Sequence, residues 1–341
     1  MRTYLEKLIQ GNNLSIEEMK AAALACFKES ITESEIAALL TALQVKGETA
    51  EEVTGLVEVI LSQSAFNTDS IVNAMDNCGT GGDMSGSFNI STTSAFVIAG
   101  AGVPVAKHGN RSVSSKTGSA DVLEYLGVSL FFTRSQVEES LVQNQIAFLF
   151  APHVHNALKP FTKVRKDLGL PTIFNVIGPL TNPIMLNSQF IGVYRKDKLH
   201  IVAQALRNLG RKRALVVNGA GGMDEASLAG KNHLILLEDG ELKPFTLHPE
   251  EVGLPVYSIK EIQGGDAKKN ATITKNVLQG NPSAYLDTVI LNAGLGLYAH
   301  GTASSIKHGI ELAKESIHSG KALECLTNLV HFSKKYDSEV V

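Results

Sequence analysis

Apolar residues recur at helical spacing from early in the chain. Met19, Ala22, Ala23, Cys26 and Phe27 fall at i, i+3, i+4, i+7 and i+8, and Val53, Leu56, Val57, Ile60 and Leu61 repeat that pattern. The helical stretches open on an S/T-x-x-E signature, at Ser15/Glu18, Thr32/Glu35 and Thr49/Glu52. In each, a hydroxyl can accept the N–H three residues on while the carboxylate returns the bond. Three such starts predict a small all-helical unit. From about residue 70 the texture changes. Short β-rich runs at Val103–Ala106, Ile146–Phe150, Phe190–Tyr194, Ala214–Val217 and Leu234–Leu237 alternate with helical patterns, which predicts an α/β domain with a mostly parallel central sheet flanked by helices. Asp239-Gly240, set between Leu234–Leu237 and Leu242–Leu247, predicts a hairpin on one edge of that sheet. Helical spacing returns near the C-terminal end with Tyr285, Val289 and Ala293, then Ile306, Ile310 and Ala313.

The length of 341 residues suits two cores of ordinary size. A net charge of −3, with no long Lys/Arg tract, argues against sequence-independent nucleic-acid binding and against an anionic-membrane partner. The longest apolar stretch, Ala95–Ala106, is too short to span a bilayer, and Met1–Gln10 mixes Arg2, Glu6 and Lys7 with its apolar residues, unlike a signal peptide. Cys26, Cys78 and Cys325 are odd in number and widely spaced, so neither a disulfide framework nor a zinc site is expected. A cytoplasmic location follows as the expectation. The chain contains no tryptophan.

Three glycine-rich segments carry the candidate chemistry. Asp76-Asn77-Cys78-Gly79-Thr80-Gly81-Gly82-Asp83 precedes a helix expected to begin near Ser91, and its glycines can present successive N–H groups to phosphate oxygens beside a helix N-terminus. A plain strand-to-helix turn would use the same glycines, but Ser85, Ser87, Asn89, Ser91 and Thr92 follow closely and suit sugar hydroxyls, phosphates and metal-bound water. The segment lacks the Gly-Lys-Ser/Thr of a Walker A loop and the spacing of a dinucleotide fingerprint. Lys107 through Ser119 follows a predicted strand and concentrates Lys107, His108, Arg111 and Lys116 with four serines, the expected place and composition of an anion site. Gly219-Ala220-Gly221-Gly222-Met223-Asp224-Glu225 ends on adjacent carboxylates, which suit magnesium shared with substrate phosphates, although such pairs also serve helix N-termini.

Taken together, Gly79-Thr80-Gly81-Gly82-Asp83, Asn89-Ile90-Ser91-Thr92, Lys107-His108-Gly109-Asn110-Arg111 through Gly118-Ser119-Ala120-Asp121, Asn175 through Pro183, and Asp224-Glu225 resemble the anthranilate phosphoribosyltransferase family along the whole chain. The resemblance implies a helical domain over residues 1–70, joined by a returning segment near 165–185, and an α/β domain of the nucleoside-phosphorylase type over 71–341. It implies transfer of the phosphoribosyl group of 5-phosphoribosyl-1-pyrophosphate (PRPP) to anthranilate, a step of tryptophan synthesis. Carried over, Gly79, Gly82, Asp83, Ser87, Asn89, Ile90, Ser91 and Thr92 line the PRPP site, completed by Lys107, His108, Gly109, Asn110, Arg111, Ser112, Val113, Ser114, Ser115 and Ser119. Asn110 and Arg165 meet anthranilate, and Lys107, Asn110 and Arg165 carry the catalytic roles. Two Mg²⁺ ions are implied, one on Ser91 and Glu225, the other on Asp224 and Glu225. A homodimer is implied as well. Ser87, Asn156 and Asn218 stand where the family commonly has Thr, Pro and His. The competing readings are a pyrimidine nucleoside phosphorylase, which would need no Asp-Glu metal pair, and a nucleic-acid-binding paralogue, which would show a basic face and eroded loops.

Overall fold

A computed structural model of the chain describes residues 1–64, 66, 73–112 and 116–337. Helix α1 (Arg2–Ile9) leads into α2 (Ile16–Ala25), α3 (Glu33–Lys46) and α4 (Ala50–Ser62). All three expected capping boxes close in both directions, each starting its helix one residue after the Ser or Thr. The faces so aligned bury Met19, Leu39, Leu40, Leu43, Val53 and Leu56 against Phe161, Val164, Ile173 and Leu180, so residues around 160–180 share a core with the first helices.

The third box does more than start a helix. Glu52 is fully buried; Oε1 accepts from the Leu14 N–H at 2.9 Å, and Oε2 accepts from Thr49 N–H and Lys46 Nζ at 2.9 Å each. Glu52→Ala would leave the Lys46 ammonium, which also donates to Asn13 Oδ1 and Gly47 O, without its carboxylate, and two backbone N–H groups without their acceptor. The expected cost is about 3–5 kcal/mol of stability, measured by urea unfolding; a loss under ~1 kcal/mol would mean that water replaces the carboxylate.

Seven strands follow: β1 (Met75–Gly79), β2 (Val105–Gly109), β3 (Ile146–Phe150), β4 (Ser188–Gly192), β5 (Arg213–Asn218), β6 (Asn232–Glu238) and β7 (Glu241–Leu247). Between and after them run α5 (Ile90–Gly100), α6 (Ser119–Leu126), α7 (Arg134–Asn144), α8 (Ala151–Val154), α9 (Lys159–Leu168), α10 (Phe174–Ile177), α11 (Leu199–Asn208), α12 (Ala267–Leu278), α13 (Ala284–His300), α14 (Ile306–His318) and α15 (Lys321–Asp337). They cover a single sheet of order β3-β2-β1-β4-β5-β6-β7, parallel through β5 and antiparallel beyond. Alternate side chains of β5 and β6 enter different cores: Leu215, Val217, Leu234 and Leu236 face α13, while Ala214, Val216, Ile235 and Leu237 face α11 and the helical unit. The edge hairpin turns at Asp239 and Gly240, both with positive φ (53° and 78°), as a two-residue turn of this kind requires.

Several boundaries differ from the hydrophobic reading. Strand β1 absorbs Asp76, Asn77, Cys78 and Gly79 from the first glycine-rich run; its polar residues hide it from a pattern search. The predicted strand at 103–106 is displaced to 105–109, because Pro104 has no N–H for the ladder, and Lys107, His108 and Gly109 pair in register with Phe148, Leu149 and Phe150. Strand β4 begins at Ser188 and ends at Gly192, since the buried amide of Gln189 is satisfied by Pro179 O and Arg211 Nε. Ile71, placed ahead of the first glycine run, lies outside the described residues. Among the described residues no helix is long and apolar enough to cross a membrane.

Candidate active site

The chain order β1, β2, β3 runs outward to one side of the sheet, and β4 and β5 return to the other side of β1. The carboxyl ends of β1 and β4 therefore mark the switch point where an open parallel sheet leaves a crevice. Gly79 and Gly192 face each other there in register. The Asp224–Glu225 turn, following β5, crosses directly over both: a Cβ on Gly192 would overlap the Asp224 carbonyl, and one on Gly79 would overlap its carboxylate.

This crossing joins the separate motifs. Asp224 Oδ2 accepts from Gly81 N–H at 2.6 Å, and Glu225 Oε1 accepts from Ser91 N–H at 3.0 Å. Glu225 thus supplies the cap that the first turn of α5 lacks, since the Asn89 side chain bonds elsewhere, to Thr117 O and Asn270 Nδ2. Lys107 is 2% exposed and donates to Asn77 O at 2.7 Å and Ser91 Oγ at 3.3 Å. Burial, then repulsion from Glu225 and Asp83, drives the Asp224 carboxyl well above the usual carboxylate range; Glu225 is pushed up to about 7 by burial, against the pull of Lys107. No helix begins at Asp224-Glu225 itself; of the pair, Glu225 caps α5 through its side chain while Asp224 bonds the glycine loop.

Asp83 Oδ1 accepts from Ser85 N–H at 3.1 Å while Oδ2 is buried without a partner, and Asn77 Oδ1 is likewise orphaned. Two recessed carboxylates, a third nearby, a hydroxyl and unpartnered oxygens form a hard-oxygen donor set suited to magnesium. Among the described residues no three His, Cys, Asp or Glu side chains are grouped to hold a metal by themselves, so phosphate oxygens of a bound substrate would have to complete the coordination. Gly81 and Gly82 (φ 72° and 84°) turn the chain beneath the Tyr194 ring, and Ser87 is tied through Ser85 Oγ and a bridge to Gln263.

The second loop is divided in its roles. Asn110 is exposed, and its Oδ1 accepts from the Arg111 N–H at 2.7 Å. Arg111, expected from sequence to meet an anion, is held by Asp121 at 2.8 Å and by both oxygens of Glu124 at 2.9 Å. The Ser112 and Gly118 N–H groups donate to Asp121, and Ser119 Oγ donates to Asn110 O. Val113, Ser114 and Ser115 lie outside the described residues. On α9, Arg165 stacks over the Phe174 ring at 4.8 Å, and burial pushes its guanidinium below its ordinary value; among the described residues no carboxylate pairs with it.

A helical bundle domain of a glycosyl transferase family matches residues 2–64, and the a/b domain of the same family matches 72–323. An anthranilate phosphoribosyltransferase of Oceanobacillus iheyensis is 61% identical over 341 residues, covering all of both chains. The chain belongs to the anthranilate phosphoribosyltransferase family. A crystal structure of an anthranilate phosphoribosyltransferase from Thermus thermophilus superposes with a TM-score of 0.91 at 37% identity, covering 97% of this chain and 99% of that one. The Saccharomyces cerevisiae anthranilate phosphoribosyltransferase in complex with PRPP and Mg gives 0.88 at 30% identity, covering 98% and 97%. As an anthranilate phosphoribosyltransferase family member the chain is a pentosyltransferase, and it is that membership that sets aside the phosphorylase and nucleic-acid-binding alternatives.

Sequence reasoning missed Tyr194, Gln263, Asn270 and Gly192 at this family member's cleft, since none stands in a motif. The rings of His108 and His155 meet edge to face at 5.4 Å, with His155 Nε2 against Thr181 O at 2.7 Å and His108 Nε2 unpartnered. Burial lowers both, His108 to about 3. Below pH ~6.5 the unfolded chain protonates His108 while the folded chain does not, so stability falls on acidification by up to about 1.4 kcal/mol per pH unit from His108, and the lowered His155 acts in the same direction. The raised Glu225 contributes with opposite sign as pH rises through about 4.5 to 7, and the raised Asp224 acts in the same direction as Glu225. Comparing wild type with His108→Gln cancels that contribution. Between pH 6 and 4 the variant should lose about 1.4 kcal/mol less per pH unit; parallel stability curves would refute a neutral buried His108.

Proposed function

We propose that the crevice at the ends of β1 and β4 holds PRPP and magnesium, with anthranilate entering between Asn110 and Arg165. The family reaction moves the phosphoribosyl group from PRPP to the amino group of anthranilate, giving N-(5-phosphoribosyl)anthranilate and pyrophosphate. One observation carries the assignment: Asp224 and Glu225 reach across more than 130 residues of sequence to the glycine loop and to the first turn of α5. That joins a phosphate cradle to a pair of carboxylates.

In this reading Gly79, Gly82, Asp83, Ser87, Asn89, Ile90, Ser91 and Thr92, with 107–115 and Ser119, surround PRPP. The α5 N-terminus and the loop amides bind phosphate oxygens. Ser91, Asp224 and Glu225 hold the metal, two ions in all. Magnesium, when bound, supplies positive charge to the departing pyrophosphate. Lys107 orders Asn77 and Ser91 from beneath and adds its own charge. Arg165, stacked and without a carboxylate partner, offers a planar fork to the carboxylate of anthranilate. With the acid held there and Asn110 beside the amine, the aniline nitrogen, neutral at pH 7, lies in line with C1 of the ribose as pyrophosphate leaves. Positioning and charge stabilisation provide the acceleration, and no strong base is required.

The division at 1–70 plus 165–185 against 71–341, a homodimer and a cytoplasmic location complete the reading. Ile9 and Val45, 77% and 82% exposed on α1 and α3, are apolar side chains suited to self-association. The direct test follows anthranilate fluorescence, which no tryptophan of the chain overlaps. A decay that requires both PRPP and magnesium, with no need for inorganic phosphate, is expected; turnover that demands free phosphate would overturn the assignment.

A further inference from the structure

Helix α13 is apolar and buried along most of its length, yet Asn292 sits in its middle with no exposed surface. An amide there is costly unless it is fully bonded. Its Oδ1 accepts from the Ala226 N–H at 2.9 Å, and its Nδ2 donates to the Ala226 carbonyl and to Thr288 O, each at 2.9 Å. Both main-chain groups of the residue after Glu225 are therefore gripped by one side chain, in the way a neighbouring strand would grip them. Opposite that grip the turn lies on glycines: side chains at Gly79 and Gly192 would overlap Asp224, and one at Gly219 would overlap the Glu225 carbonyl.

We propose that Asn292 is a positioning residue for the reaction, fixing the Asp224–Glu225 turn in the metal-holding geometry through Ala226. The proposal rests on the metal reading above. Asn292 touches neither substrate, so its effect must reach the metal and diphosphate side of the crevice and spare anthranilate, which Arg165 and Asn110 hold from another direction.

The test uses Asn292→Ser in the full-length chain. A serine hydroxyl can return to the Thr288 carbonyl four residues earlier and leave the helix satisfied, but it is too short to hold Ala226. Titration calorimetry with magnesium pyrophosphate on the resting enzyme should show affinity lowered roughly ten-fold or more. The KM for PRPP should rise in parallel, with the KM for anthranilate within about two-fold. Unchanged magnesium pyrophosphate affinity beside a lowered melting temperature would make Asn292 merely structural and overturn the proposal, as would equal losses toward both substrates. Glu225→Gln is read alongside: if it binds magnesium pyrophosphate like wild type, the metal reading and this proposal fall together, whereas its loss with an unaffected Asn292→Ser removes only this one. Hydrogen exchange of the wild-type protein supplies an answer that does not depend on any variant folding. Magnesium pyrophosphate should raise protection in segments 224–232 and 288–296 together; protection confined to the first overturns the link.

Discussion

Glu225→Ala is expected to lower kcat by about 10³-fold even at saturating PRPP, anthranilate and magnesium. Glu225 is the one carboxylate assigned to both ions, and it is also the group that meets the Ser91 N–H at the start of α5 and faces Lys107. Its removal deletes charge that the leaving pyrophosphate needs at the transition state, so saturation with substrate cannot restore the rate. Steady-state kinetics across a magnesium series, with thermal melting to show that the variant is folded, provide the measurement. Near wild-type turnover at ordinary magnesium would remove Glu225 from the metal site. A smaller effect is expected at Arg111, whose charge is already committed to Asp121 and Glu124.

Arg165→Ala is expected to raise the KM for anthranilate by about 10²-fold while leaving the KM for PRPP within about two-fold. The size is that of truncating one partner of a partly buried charged hydrogen bond. The guanidinium carbon lies 4.8 Å from the centroid of the Phe174 ring, and among the described residues no carboxylate competes for it. Arg165→Lys should recover little, because an ammonium keeps the charge but loses the stacked fork. An unchanged KM for anthranilate in Arg165→Ala would refute the carboxylate clamp.

The contrast between Glu225 and Arg165 mirrors how legible each was. Asp224-Glu225 stood out as adjacent carboxylates behind glycines, although the residues alone left a helix-capping role open; in the structure Glu225 caps α5, a helix distant in sequence, while Asp224 meets the glycine loop. Arg165, one cation in Lys163-Val164-Arg165-Lys166, had no local mark, and only the family resemblance singled it out. Its neighbour Lys163 pairs with Glu33 of α3 at the exposed surface, and that difference comes from which face of α9 each side chain occupies. Lys107 is a further case. Its residue type suggested a phosphate contact, whereas its strand position places it beneath the crevice against Asn77 and Ser91.

Local signals settled the helical starts. The S/T-x-x-E boxes at Ser15, Thr32 and Thr49 satisfy N–H groups within four residues, so each can be read without knowing where the rest of the chain lies. The Asp239-Gly240 hairpin and the α/β alternation were legible for the same reason, since turn chemistry and apolar period act over short range. Strand β1 was not, because its Asp76 and Asn77 are buried in polar company supplied by distant residues: Asn182 donates to Asp76, and Asn77 bonds to Ser91. Gly79 read as one glycine of a phosphate loop or turn, and Gly192 lay inside the expected strand Phe190–Tyr194. Their joint role, opening the sheet so that Asp224 can cross it, exists only once β1 and β4 are neighbours, because close packing between segments distant in sequence is decided by the sheet order and leaves no periodic trace in either segment.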